Sequence, residues 1–409
     1  MTSQPVRVLA VALAGLLAAS ASAHAAVPTC ESLPGTKVYL QVGDTQVNLL
    51  KRLGRALRDN STKQLTIVWY ATGSCTNITA IYSGVPYTSG QMLDYVPSVA
   101  DDATWDPKTS ATLKCTAPAT PDALKVPDIA NSALFNSACT STPAKPATVK
   151  LSEGPKQAYV LAVPKASTQT AITYEEAYFV FGFGQSGMIS PWENETQLFI
   201  RTLTKSTLLA WAANISVPAA KFKGVQRDQS TQVVTDLTTT QSPELAIGIL
   251  GVEVYDGLRA QLKTLAFRAK NQKAAYFPDS SPTSTDKKNV RDGHYTVWSP
   301  TIWMDTTTND GETPVNADAR YVIDLIRGID VTPAPMFNMV EIISAVGLVP
   351  DCAMGVRREY EGGPFTIYHP TESCVCKYES VVDHSSCATC SATQACTTGV
   401  CRAGFCEVQ

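Results

Sequence analysis

The chain has 409 residues, enough for two compact domains and a smaller third part. Its formal net charge is −3 and only 17% of its residues are charged, which excludes a strongly basic surface for nucleic acid or an anionic membrane. The four histidines are too few and too scattered for a histidine-rich metal site, so we expect no metal, no other cofactor and no nucleic-acid partner.

The first residues have the pattern of a secretory signal peptide. Arg7 is followed by an apolar run over residues 8–17, and then by small residues with Ala-x-Ala patterns near Ala23 and Ala25. This apolar run is too short to span a bilayer, and the small residues suit signal peptidase. We therefore expect residues 1–26 to be removed. The mature protein would then be exported, either to the periplasm or to the outside of the cell.

Two strand–turn–helix units open the mature chain. In the first, the strand-like run Val38–Val42 leads through Gly43-Asp44-Thr45 to an amphipathic helix. In the second, the apolar run Leu65–Tyr70 leads through Gly73-Ser74-Cys75 to apolar residues at helical spacing. Consecutive units of this kind predict an α/β fold with a parallel sheet covered by helices. On the first helix we expect four basic side chains to point outward, namely Lys51, Arg52, Arg55 and Arg58.

A glycine motif in the middle of the chain matches GxGxxG. It lies at Gly182, Gly184 and Gly187, after a predicted helix over Tyr174–Phe181. A dinucleotide site needs a strand before the motif, a helix starting within it and an acidic residue about twenty positions later. The sequence does not meet these conditions, so we interpret the motif as a flexible turn after a helix. Amphipathic helices are predicted farther on, over Ala317–Arg327 and Met336–Val346.

Twelve cysteines in an exported chain favour disulfides. Four lie between Cys30 and Cys139 and eight lie between Cys352 and Cys406, so both groups are even and complete pairing within each is predicted. The CxxC of Cys387 and Cys390 has no second CxxC to complete a zinc ribbon, which favours disulfides over zinc. We expect these bonds to staple residues 350–409, a tail with too few apolar residues for its own core, and its pairings stay open.

Three polar turns share one design: Gly43-Asp44-Thr45, Gly73-Ser74-Cys75 and Lys205-Ser206-Thr207. A helix N-terminus presents unpaired N–H groups and the positive end of the helix dipole, so it can hold an anion. Each turn could equally cap only its own helix, and nearby Arg201 could form a surface ion pair. The repetition favours an anion site between two lobes. Its predicted donors are Thr45, Ser74, Arg201, Ser206 and Thr207, with the Arg201 guanidinium as a bidentate partner.

Taken in order, these motifs resemble the type 2 periplasmic binding proteins, and within them the phosphate-binding branch that serves ABC importers. Two later segments add to the resemblance: Ala275–Pro278 is similar to the family's return hinge, and Asn289–Trp298 is similar to its closing Arg-x-Gly-x-Tyr-Pro-x-Trp segment. The resemblance covers roughly residues 33 to 328. It implies two lobes, formed by residues 33–160 with 270–346 and by residues 165–265, followed by the cysteine-rich extension 350–409.

The resemblance also implies a function. We expect an exported solute-binding protein that captures a small oxyanion, above all phosphate, in the cleft between its lobes. An ABC-type membrane transporter would be its partner, and we expect a monomer. Enzyme activity is not indicated, because the sequence contains no GxSxG, HExxH or Walker motif.

Departures from the family pattern keep two alternatives open. Asp44 stands where the family has a hydroxyl, and a carboxylate beside a bound dianion repels it unless it is protonated or turned away. Lys205 replaces a glycine of the third turn, and the sequence leaves open whether Asp128 accepts a hydrogen bond from protonated phosphate as a family aspartate does. The main alternative is a secreted or cell-surface interaction protein that keeps the fold but has lost or changed the ligand. A secreted phosphate-ester hydrolase is a weaker one.

Overall fold

The computed structural model describes residues 27–118, 124–382 and 386–408, and the predicted signal peptide lies outside these ranges. Within them, no helix is both long and apolar enough to cross a membrane. The α-helices of the described ranges are α1 (Val47–Asp59), α2 (Ser74–Tyr82), α3 (Tyr174–Phe183), α4 (Ser206–Asn214), α5 (Ser230–Thr239), α6 (Val252–Tyr255), α7 (Lys288–Arg291), α8 (Ala317–Arg327), α9 (Met339–Ser344) and α10 (Val375–Val382).

The strands alternate with these helices along most of the chain. They are β1 (Thr36–Gly43), β2 (Leu65–Thr72), β3 (Met92–Tyr95), β4 (Leu113–Thr116), β5 (Ile129–Ser132), β6 (Val149–Pro164), β7 (Ala171–Thr173), β8 (Leu198–Arg201), β9 (Val225–Arg227), β10 (Ile247–Gly251), β11 (Leu262–Thr264), β12 (Ala266–Arg268), β13 (Trp298–Thr306), β14 (Val356–Arg357), β15 (Thr366–Ile367), β16 (Val400–Arg402) and β17 (Phe405–Glu407).

One sheet of eleven strands runs through the molecule in the order β4-β3-β2-β1-β5-β13-β6-β10-β8-β9, with β11 also paired to β6. The parallel strands β1, β2 and β5 lie at one end, and the parallel strands β8, β9 and β10 lie at the other. The 16-residue strand β6 joins the two ends, pairing antiparallel with β13 along its first part and with β10 along its second. The sheet thereby forms two lobes, which confirms the predicted two-lobe α/β fold.

Each lobe has its own apolar core. In the first, the apolar face of α1 packs with β1, β2, α8 and α9, and Leu49, Leu50, Leu53 and Leu57 are all buried. In the second, buried aromatic side chains dominate, with Trp211 packed edge-on against Phe267. Burying one leucine side chain contributes about 1.5–3 kcal/mol. The buried leucines of α1 therefore account for the position of this helix.

The prediction that Lys51 and Arg58 point outward from α1 is wrong, because both side chains are buried. Lys51 Nζ donates to the carbonyl oxygen of Ser110 at 2.6 Å, and Arg58 Nη1 donates to that of Val96 at 2.8 Å. The loop that follows β3 folds back over this face of the helix. The periodicity of a single helix cannot reveal such a cover, because the covering residues lie about 40 to 60 positions later.

Complete cysteine pairing within each group is confirmed. The six disulfides are Cys30–Cys115, Cys75–Cys139, Cys352–Cys374, Cys376–Cys387, Cys390–Cys401 and Cys396–Cys406. The CxxC cysteines bond to other partners, not to each other. A group of sulfurs close enough to hold a metal, from Cys390, Cys396 and Cys401, consists of atoms already used in these disulfides.

The first part of the C-terminal extension packs against the lobes. Tyr378 of α10 is fully buried in the larger core, and the Arg358 guanidinium lies over the rings of both Trp298 and Phe365. Glu361 accepts a hydrogen bond of 2.8 Å from the hydroxyl of Ser299 in β13. Residues 350–382 are therefore held by core contacts as well as by disulfides.

Candidate functional site

The parallel strands of the two lobes end at a common cleft. β1 ends at Gly43 and β2 at Thr72 in one lobe, while β8 ends at Arg201 and β9 at Arg227 in the other. Ligand sites of open α/β sheets form outside the carboxyl ends of such strands, where the following helices begin. The three predicted turns lie at these ends.

Two of the three turns open α-helices as predicted, since α2 begins at Ser74 and α4 begins at Ser206. The Gly43-Asp44-Thr45 turn differs, because Asp44 and Thr45 belong to a short 3₁₀ helix that precedes α1. Across the cleft, the Cys75 N–H in the first turn of α2 donates to the carbonyl oxygen of Thr204 at 3.2 Å. A Cβ atom at Gly73 would lie 2.5 Å from the Thr204 hydroxyl, so glycine is needed for this close approach.

The four predicted hydroxyl donors are all buried: Thr45, Ser74, Ser206 and Thr207. Ser74 Oγ accepts from the Ala133 N–H at 3.1 Å, and the Ala133 carbonyl accepts from the Tyr159 hydroxyl. Thr207 Oγ1 is buried and has no partner among the described residues. The Ser74 hydroxyl is therefore linked through Ala133 to Tyr159 of β6.

Arg201 is fully buried and is not a surface ion pair. Its Nε donates to the Arg227 carbonyl at 3.1 Å, Nη1 to Ser230 Oγ at 2.5 Å, and Nη2 to the Asp228 carbonyl at 2.7 Å. Nη2 also donates to Asp44 Oδ2 at 2.8 Å. Residues of its own lobe thus hold the guanidinium, and one carboxylate from the opposite lobe contacts it.

Asp44 is turned toward the second lobe. Its Oδ2 accepts from Arg201 Nη2 and also from the N–H and hydroxyl of Ser230, at 3.1 and 2.9 Å. Ser230 is the first residue of α5, so the carboxylate also lies at the positive end of that helix. Ser230 is not among the site residues predicted from the sequence, although Asp228-Gln229-Ser230 is a further polar turn that opens a helix.

The Lys205 ammonium also pairs within the second lobe. It is buried, and its Nζ lies 3.3 Å from Asp228 Oδ1. Burial acts to raise the pKa of Asp228, but the charge and hydrogen bond of Lys205, together with Gln229 and the charge of Arg201, lower it overall. Arg201 at the end of β8 and Lys205 in the following turn therefore each face a carboxylate of the chain.

A buried polar chain connects the lobes beneath Asp44. Gln46 Nε2 donates to Gln157 Oε1 at 2.5 Å, and Gln157 Nε2 donates to Glu253 Oε2 at 3.0 Å. Burial raises the pKa of Glu253 well above its usual value, with further contributions from the charges of Asp44 and Asp256. Glu253 Oε1 and Gln46 Oε1 have no partner in the described part of the chain.

A cavity of about 770 Å³ opens beside this polar chain. Both lobes line it, with Asp44 and Asn48 on one side and Ser230, Glu253 and Val254 on the other. A cavity of this volume is in the range of small-molecule sites, and its lining combines apolar and polar groups as such sites do.

Asp128 lies away from this cleft. It precedes β5, at the amino end of that strand, and its Oδ2 accepts from the Tyr39 N–H at 2.8 Å. Burial raises the pKa of its carboxyl group. Ser132 and Ala133, not Asp128, stand at the end of β5 that faces the cleft.

The chain was compared with known proteins at the level of sequence and of structure. No protein-family model and no curated protein matches its sequence. Among solved structures, it is similar to a protein from Clostridium perfringens described as a phosphate ABC transporter substrate-binding protein with bound phosphate. The TM-score is 0.50 at 12% identity, and the match covers 77% of this chain and 99% of the other. An ABC-type phosphate transport receptor from Vibrio cholerae matches at a TM-score of 0.45 and 12% identity, over 76% of this chain and 99% of that one.

At these identities the likeness concerns the fold alone. It spans nearly the whole length of the Clostridium perfringens structure and about three quarters of this chain. The fold of this chain is therefore that of the type 2 periplasmic binding proteins.

Proposed function

We propose that this protein is an exported solute-binding protein that captures a small oxyanion in the cleft between its lobes, with phosphate as the preferred ligand. The observation that carries the proposal is the arrangement of Thr45, Ser74, Arg201, Ser206 and Thr207 at the facing strand ends, with the Thr207 hydroxyl buried and unpartnered among the described residues. The structure with bound phosphate from Clostridium perfringens supports it as a protein of the same fold.

In this proposal the protein acts by binding and not by catalysis. Hydroxyls and the N–H groups of α2 and α4 would donate to the oxyanion, and closure would occur about the segments β6 and β13 that join the lobes. The contact between Cys75 and Thr204 would have to open for a ligand to enter. An ABC-type transporter would receive the ligand-bound monomer outside the cytoplasm, where its disulfides are stable.

Calorimetric titration of the oxidised protein with phosphate, sulfate and molybdate tests the proposal. We expect saturable binding of at least one of the three below millimolar concentration. Thr207→Val replaces the hydroxyl by a methyl group of similar size and should weaken that binding about tenfold, because the ligand loses one hydrogen bond. Thr235→Val, an exposed position on α5, is the matched control and should bind like the wild type. Absence of binding for all three anions would contradict the oxyanion proposal.

The second candidate is an interaction protein that keeps the fold without the oxyanion. Two observations favour it: Asp44 already contacts the Arg201 guanidinium, and the Thr204 carbonyl already accepts from the first turn of α2. The extension also exposes the apolar side chains Ile367 and Val400. This candidate predicts that Ile367→Ser with Val400→Ser abolishes retention at the cell surface without lowering the melting temperature. Unchanged retention would argue against it.

A further inference from the structure

The second lobe builds an anion receptor around the Asp44 carboxylate. Three donors converge on Asp44 Oδ2 from that lobe: Arg201 Nη2 at 2.8 Å, Ser230 Oγ at 2.9 Å and the Ser230 N–H at 3.1 Å. Hydrogen bonds to a carboxylate from a guanidinium and from a helix N-terminus are among the stronger ones in proteins. Asp44 itself belongs to the first lobe, so the carboxylate is held as a bound ligand would be.

The receptor is organised without help from Asp44. Arg201 is fully buried, and the carbonyls of Arg227 and Asp228 fix its guanidinium through Nε and Nη2. Ser230 Oγ lies 2.5 Å from Arg201 Nη1 and is buried as well. Donors that are already held in place bind an anion without a further ordering cost, so this site should persist when the carboxylate is removed.

The receptor adjoins space that a small molecule can reach. Asp44 and Ser230 both line the 770 Å³ cavity between the lobes. Glu253 lines the same cavity, is only 5% exposed, and has an Oε1 atom with no hydrogen-bond partner among the described residues. A buried polar atom without a partner indicates that a water molecule or a ligand group completes the site.

We propose that Arg201, Ser230 and the first turn of α5 form a carboxylate-binding site whose resident ligand is the chain's own Asp44. A free carboxylate enters only when Asp44 leaves, and it then approaches from the adjoining cavity. While Asp44 is bound, it bridges the two lobes and neutralises the buried guanidinium. Asp44 therefore competes with any anion for Arg201 and sets which anions the cleft accepts.

Formate is the probe that matches this site. Asp44→Ala removes one carboxylate and keeps the Cβ atom, so formate replaces the deleted group in size and charge. We expect the oxidised Asp44→Ala protein to bind sodium formate saturably in calorimetry. At a formate concentration of ten times the Kd, its melting temperature should be about 2 °C higher than in sodium chloride of the same concentration. The wild type should not respond, since Asp44 fills the site. Lack of a formate-specific response in the variant would overturn the proposal.

Two further variants keep the test decisive. The double variant Asp44→Ala, Ser230→Ala should bind formate about tenfold or more weakly than Asp44→Ala alone. It has lost the Ser230 hydroxyl, so only the backbone N–H of residue 230 donates beside Arg201. Asp44→Asn fills the site with an uncharged group of the same shape and should not bind formate. If Asp44→Ala does not fold, a double-mutant cycle between Asp44→Asn and Ser230→Ala in urea unfolding replaces it. Strictly additive effects in that cycle would overturn the proposal.

This inference deepens the proposed function, because it concerns the same cleft and rests on that function for its biological role. The two can nevertheless fail separately. Titration of the wild type with phosphate, sulfate and molybdate decides the proposed function, whereas formate binding by Asp44→Ala decides the carboxylate site. A wild type that ignores all three anions beside a variant that binds formate would refute the first and support the second.

Discussion

Gln157 Nε2 donates a hydrogen bond of 3.0 Å to Glu253 Oε2, and both side chains are buried where the lobes meet. Because burial raises the pKa of Glu253, the folded state keeps its proton at pH values where the unfolded chain has released it. This group therefore favours folding most at acidic pH, below its ordinary pKa of 4.5, and the contribution is lost as pH rises toward the folded pKa.

Glu253→Gln should remove this pH dependence. Glutamine keeps the shape and the hydrogen bond with Gln157 but carries no proton to lose. Relative to the wild type, the free energy of unfolding of the variant should rise above pH 4.5 by up to about 1.4 kcal/mol per pH unit, until the folded pKa is reached. Urea unfolding between pH 4 and pH 8 measures the difference. Parallel curves for the two proteins would contradict a buried, protonated Glu253.

Replacing Cys75 and Cys139 by alanine should destabilise the protein by about 4 kcal/mol, because their disulfide closes a loop with a sequence separation of 64 residues. The same replacement should also weaken binding of the proposed oxyanion, since Cys75 lies in the first turn of α2 at the cleft. Replacing Cys30 and Cys115 is the matched control, with a separation of 85 residues at a position away from the cleft. That pair should cost a similar free energy of unfolding and leave affinity unchanged. Equal losses of affinity in both variants would mean that the effect is one of global stability.

Lys287→Met should lower the free energy of unfolding by about 3–5 kcal/mol. The Lys287 ammonium is fully buried and lies 2.8 Å from carboxylate oxygens of both Asp279 and Asp256. Its removal leaves these two carboxylates facing one cation, the Arg259 guanidinium, so one negative charge of the buried cluster is no longer compensated. The neighbouring Lys288 is 62% exposed, so Lys288→Met should change stability by less than about 0.5 kcal/mol. Denaturant midpoints of the two variants give the comparison, and similar values would show that the buried network contributes little.

Glu407→Ala should loosen the C-terminal extension. The Glu407 carboxylate is buried and accepts from the N–H groups of Cys376 and Lys377, at 3.0 and 2.9 Å, in the first turn of α10. Losing this cap should cost about 1–3 kcal/mol, seen as faster amide exchange in α10. Glu372→Ala, at an exposed carboxylate, is the control. Unchanged exchange in α10 would show that the disulfides alone hold the extension.

Much of the fold could be predicted from local pattern. The predicted helix Ala317–Arg327 matches α8 at both ends, because Asn316 caps its first turn and Gly328 ends it in the left-handed region with φ +75°. The helix predicted over Met336–Val346 is shorter, Met339–Ser344, because Asn338 supplies its N-terminal cap. Local chemistry determines where helices begin and end, and it is visible in the sequence.

The candidate site was predictable only in part. Glycine and hydroxyl turns at Ser74 and Ser206 could be recognised because a helix N-terminus has a local signature. The role of Asp128 could not be predicted from the sequence, because it depends on which end of β5 the residue occupies. Strand boundaries read from a sequence are uncertain by a few residues, which is the distance between the two ends of this short strand. Ser230 was not predicted, because its contact with Asp44 joins residues 186 positions apart and has no local signature.

The sequence by itself determined the α/β class, the even pairing of cysteines within two groups, and the polar turns at helix starts, because these depend on neighbours within a few residues or on composition. Only the tertiary structure decided which cysteines pair and that Arg201 meets Asp44, 157 residues away. It also decided that Lys51 is covered by a later loop. Such contacts depend on how β6 brings the two lobes together, and no local pattern contains that geometry.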